Sequence, residues 1–182
     1  MRLLAVLALC LAAQPVLAES YRFKWVGANG YRIEGAMAIS PAALGQRRIG
    51  GDDLSCFVIR GFAGPVPLGI WRLGWLTPET DWNFNFYPEE RAFGVGGMHD
   101  GRRGQAWNMD GWGTSCGPGG FGFNSGTGAQ DICVDGALIV ASQVPPPTPF
   151  GAVPDETVEF EPEDCRPPDA ISELGTRSVE GG

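Results

Sequence analysis

Tyr21-Arg22-Phe23-Lys24-Trp25, then Ala28-Asn29-Gly30, then Tyr31-Arg32-Ile33-Glu34-Gly35-Ala36-Met37-Ala38-Ile39: the fold is read most directly from this run. In its first part aromatic rings alternate strictly with cations. In its last part Tyr31, Ile33, Gly35, Met37 and Ile39 keep the same period of two, the period of a strand with one buried face. Asn-Gly between two alternating runs marks a hairpin, because both residues tolerate the positive φ of a type I′ turn. Residues 20–39 are therefore expected to form a β-hairpin.

Outward from that hairpin, further short strands are expected at 54–61, 69–75, 82–87, 92–95, 105–109, 120–124, 131–134 and 137–142. Most are bounded by Gly, Pro or Asp, and residues 19–182 hold no sustained 3.6-residue apolar period. One helical turn is expected at 40–45, with Ser40 ahead of it, Pro41 at its first position and Gly45 ending it. Many short strands separated by turn residues imply antiparallel sheets, packed as a sandwich or closed as a barrel. The expectation is an all-β antiparallel sandwich, jelly-roll-like, with glycine-rich loops and little helix. Glycine is densest between residues 94 and 128, where strands are bulged, closely approached or partly loop.

The chain opens with Arg2, an apolar run from Leu3 to Ala13, and Val16-Leu17-Ala18 before Glu19. This is the pattern of a secretory signal peptide over 1–18 with cleavage after Ala18, and Gln14-Pro15 interrupts the run well short of a membrane span. Leu9, rather than a small residue, precedes Cys10, which argues against lipidation there. The mature chain is expected to be secreted or periplasmic, with no membrane span. It keeps Cys56, Cys116, Cys133 and Cys165, an even number in a compartment where disulfides persist. Three pairings are open; Cys116–Cys133 with Cys56–Cys165 is preferred. No two of these cysteines lie two to four residues apart and His99 is the sole histidine, so neither a metal site nor a cofactor is expected.

The net charge of −8 is unevenly placed. Residues 19–144 hold 12 acidic and 10 basic side chains, whereas 145–182 hold 9 acidic and 2 basic. A nearly neutral domain offers no basic stripe for phosphates, which excludes nucleic acid as the expected partner. Pro145-Pro146-Pro147-Thr148-Pro149 opens the acidic stretch, so 19–144 reads as the domain and 145–182 as a tail ordered only near Cys165.

Few residues suggest chemistry. Trp82, Phe84 and Phe86 read as core rings on one strand face, with Asn83 and Asn85 turned to water. Trp107, Asn108, Asp110 and Trp112 are the candidate binding residues, because aromatic rings among amides, a carboxylate and glycines suit a saccharide: C–H faces stack and hydroxyls pair. The competing reading is that both tryptophans cover one end of the sandwich. His99 beside Asp100 invites a catalytic reading, but adjacent residues diverge and geometry defines such sites. No two carboxylates are selected as a hydrolase pair, so catalytic residues stay unknown.

Trp25-Val26-Gly27-Ala28-Asn29-Gly30-Tyr31-Arg32-Ile33-Glu34-Gly35, with Asp53-Leu54 and Trp82-Asn83-Phe84-Asn85-Phe86, resembles a loose group of short exported bacterial β-rich proteins. Some of that group carry a C-terminal Pro-Glu-Pro sorting signal with a membrane helix; the sequence read here shows no such helix. The resemblance spans the first half of the mature domain. It implies an envelope or extracellular protein and brings no catalytic or binding residue. The expected function is a non-catalytic glycan- or envelope-binding sandwich. A secreted hydrolase and a structural or interaction protein of the envelope are the alternatives.

Overall fold

The computed structural model describes residues 19–97 and 104–167. The expected signal peptide, the His99 loop and the end of the expected tail lie outside these described residues.

Strands β1 (Ser20–Val26) and β2 (Tyr31–Ile39) form the expected hairpin, paired from Ser20↔Ala38 to Val26↔Arg32. Asn29 and Gly30 both take positive φ at its turn, as the Asn-Gly pair demands. Then come β3 (Ile49–Gly50), β4 (Leu54–Ala63), β5 (Val66–Arg72), β6 (Asp81–Asn83), β7 (Asn85–Tyr87) and β8 (Ala92–Phe93). The chain closes with β9 (Gln105–Met109), β10 (Phe121–Ser125), β11 (Gln130–Val134), β12 (Ala137–Leu138) and β13 (Ala152–Pro154). A single 3-10 turn covers Pro41–Ala43, and Gly45 follows at positive φ.

Two five-stranded antiparallel sheets face each other, in the orders β13-β1-β2-β4-β5 and β12-β11-β10-β9-β6, and β3-β7-β8 form a third, smaller sheet. The all-β sandwich with little helix is thus present. Much of each large sheet is built from strands that follow one another along the chain, but β13 returns to pair with β1 and β9 pairs with β6 across intervening strands.

Alternation in β1 buries Tyr21, Phe23 and Trp25 and exposes Arg22, Lys24 and Val26. The rings meet Phe57 of β4, Trp107 of β9 and Phe123 of β10 in one aromatic core; Trp107 lies 4.9 Å from both Phe57 and Phe123, centroid to centroid. Gly61 and Gly69 let the two sheets close on Phe121, since a Cβ at either would sit 2.2 or 2.6 Å from that side chain. Buried glutamines satisfy two of the indole N–H groups: Trp25 donates to Gln130 Oε1 at 2.8 Å and Trp107 to Gln105 Oε1 at 3.2 Å.

Both expected disulfides form, Cys56–Cys165 and Cys116–Cys133. The expected tail boundary does not hold, because residues 145–167 are part of the sandwich. Gln130 Nε2 donates to the carbonyls of Pro146 and Thr148, Phe150 is buried 4.3 Å from Phe93, and β13 pairs with β1. Prolines do not prevent this, since β13 is a three-residue edge strand that needs few donors. Farther on, Arg72 donates to Glu161 at 2.5 Å and to the buried Asp164 at 2.8 Å. Arg166 reaches the carbonyls of Leu54 and Gly51.

Candidate functional site

The parity that sends Trp107, Phe121 and Phe123 inward turns the intervening positions of the second sheet outward. Asp81 and Asn83 of β6, Ala106 of β9 and Asn124 of β10 line an open groove of about 620 Å³. Gly97 and Gly104 border it next to Gly126 and Thr127, and the loop Gly111, Trp112 and Gly113 lines it too. Trp112 is 92% exposed, so its ring is available to a ligand.

The loop under Trp112 is held by Asp110. One carboxylate oxygen accepts the backbone N–H of Trp112 at 3.2 Å and that of Thr114 at 2.7 Å; the other accepts the Thr114 hydroxyl at 2.7 Å. Burial pushes the Asp110 carboxyl up, but these bonds outweigh it and hold the group below the usual carboxylate range. Gly113, at φ +69, lies where a Cβ would come 2.9 Å from Asn124 Oδ1, so the loop rests directly on β10. The disulfide Cys116–Cys133 ties the far end of the loop to β11.

The remaining polar groups are unequally occupied. Asn83 donates to the Gly104 carbonyl at 3.0 Å and accepts from Asn85 at 3.1 Å. Asn124 reaches the buried Asp131 at 3.4 Å, and Gln143 donates to the other Asp131 oxygen at 3.0 Å. Burial pushes the Asp131 carboxyl above its ordinary value despite those two donors. Asp81 is also raised, first by burial and then by the like charge of Asp110, against one bond from the Trp82 backbone. No described side chain makes a hydrogen bond or ion pair to Asp81.

Of the four candidate binding residues, the structure therefore places one in the groove. Trp112 lines it, and Asp110 shapes the loop that carries it. Trp107 is fully buried at the centre of the core and is no stacking platform; its strand parity, not its polar sequence neighbours, decides its place. Asn108 sits at positive φ and spends its amide on the Phe121 carbonyl. Asp81, Asn83, Asn124 and Thr127 escaped the candidate set because they come from other strands and loops. The available signal was alternation: Asp81 and Asn83 flank Trp82 and so share its opposite face. That same rule misplaces Asn85. It is fully buried rather than turned to water, accepting from Arg48 at 2.9 Å and donating to the Gly104 carbonyl.

Among the described residues no group of three or more His, Cys, Asp or Glu is arranged to hold a metal ion, and no helix is long and apolar enough to cross a membrane. Fold and site together define a class: an antiparallel β-sandwich, tied by two disulfides, with an open groove lined by amides, a carboxylate and glycines and an exposed tryptophan on its outer face. Comparison with protein-family models, with curated proteins and with solved structures gives no significant match.

Proposed function

We propose that this chain is an exported, non-catalytic module that binds a saccharide of the cell envelope or its surroundings in the groove beneath Trp112. The observation that carries the reading is the Trp112 ring, exposed at the rim of a groove whose other walls are amides, a hydroxyl, a carboxylate and glycines. A flat ring supplies stacking against sugar C–H faces. Thr127 and Asp81 offer hydrogen-bonding groups, and the glycines allow a ring to approach the backbone. Two disulfides fit an oxidising compartment, which supports export. Binding is favoured over hydrolysis because Asp81 has no second carboxylate free to work with it: both oxygens of Asp110, whose charge is felt at Asp81, are engaged by the Trp112 loop.

A glycan array on residues 19–182, followed by calorimetry on the best ligand, tests this. Trp112→Ala should weaken binding by about three- to tenfold, the worth of one aromatic contact. An array with no saccharide above background, or a Trp112→Ala affinity equal to that of the parent, would remove the basis for the assignment.

A further inference from the structure

Asp81 is the only charged side chain among the described residues that line the groove. No described cation pairs with it, and Asp110 adds a second negative charge close enough to be felt at its carboxyl. The amide N–H groups that might otherwise serve a ligand are committed, that of Asn83 to the Gly104 carbonyl and that of Asn124 toward Asp131, and the Asn83 oxygen accepts from Asn85. The described residues of the groove supply no positive charge. An exposed indole supplies further attraction for one, because a cation over its face interacts with the ring quadrupole.

We propose that the groove selects saccharides carrying a protonated amine, such as deacetylated amino sugars, and that Asp81 sets this preference. The inference rests on the saccharide reading above and adds the ligand's charge to it. An ammonium group entering beside Asp81 gains a charge-assisted hydrogen bond and offsets the repulsion between Asp81 and Asp110. The acetylated sugar stacks on Trp112 but gains neither term. A uronate would bring a third negative charge to the same place and is rejected.

The test compares, by calorimetry on residues 19–182 at about pH 6, a tetramer of glucosamine with a tetramer of N-acetylglucosamine; carboxylates are ionised there and the amine retains its proton. The free-amine tetramer should bind about tenfold more tightly, the worth of one hydrogen bond between charged groups. That advantage should shrink at about 0.5 M salt, where the half-exposed site is screened. Asp81→Asn should bring the two affinities together. Equal binding of the two tetramers by the parent chain would overturn this inference and leave the saccharide reading standing. Tighter binding of a uronate tetramer would also overturn it. Binding of neither tetramer would overturn this inference and leave the saccharide reading to the array, whereas binding of an oligolysine of equal charge as tightly as the amino sugar would overturn both.

Discussion

Trp107 and Trp112 stand five positions apart among similar neighbours, yet the sandwich gives them opposite fates. Trp107 sits on the inward parity of β9, with Phe23, Phe57, Phe84, Phe93, Phe123 and Phe150 around it. Trp112 lies beyond the strand, on a loop whose backbone is tied to Asp110. The two should therefore separate in a stability experiment. Trp107→Ala should cost about 3–5 kcal/mol, the range for emptying a large buried aromatic site, and leave the indole-bonding oxygen of Gln105 short of a partner. Trp112→Ala should leave the unfolding free energy from urea titration within about 0.5 kcal/mol of the parent, as for a surface substitution. Equal losses for the two variants would contradict this division between core and site.

The element that sequence patterning least reveals is the one that completes the first sheet. Alternation exposes β1 and β2 at once, because the sequence of each repeats its period over seven residues or more. β13 has three residues, ends on Pro154 and follows a run of prolines, so no period can be read there. Phe150 is the sole local sign that the segment is bound, and one ring carries no periodicity. The groove was hidden for a related reason: Trp112 could be picked out from composition, but Asp81, Asn124 and Thr127 meet only through strand pairing across the sheet. The disulfides were more accessible, since four cysteines allow only three pairings. A chain ending at residue 144 checks the importance of this last element. It would lose Phe150 from the core, both carbonyl acceptors of Gln130, the β1–β13 ladder and the carboxylates around Arg72. It should fail to give a cooperative thermal transition by circular dichroism. A truncated chain that melts like the parent would return the segment to the status of a tail.

At the scale of the whole molecule, carboxylates perturbed in opposite directions shape the response to acid. Asp81 and Asp131 have folded values above the ordinary one of about 3.9, so the native state takes up protons before the unfolded chain does and gains stability as pH falls through those values. For Asp110 burial is outweighed by its hydrogen bonds, and for Asp155 the bonds from Thr157 and Arg22 dominate; both are held below the ordinary value. Their contribution is complete above about pH 3.9 and lost as pH falls through the lower folded values. The thermal midpoint, followed by calorimetry from about pH 7 to pH 3, should first rise and then fall, whereas a steady decline from neutrality would refute that ordering. The pairing of β1 with β13 carries a consequence of another kind. Ser20–Val26 is made near the start of the chain, and its edge partner Ala152–Pro154 more than a hundred residues later. During ribosomal synthesis, or stepwise passage through a narrow channel with the N-terminus leading, the first strand emerges with one edge and part of its aromatic face uncovered. The sandwich closes only when the last strand arrives. The first sheet therefore stays one strand short until residues 152–154 have been added, and the folded shape waits on a segment more than a hundred residues beyond its first strand.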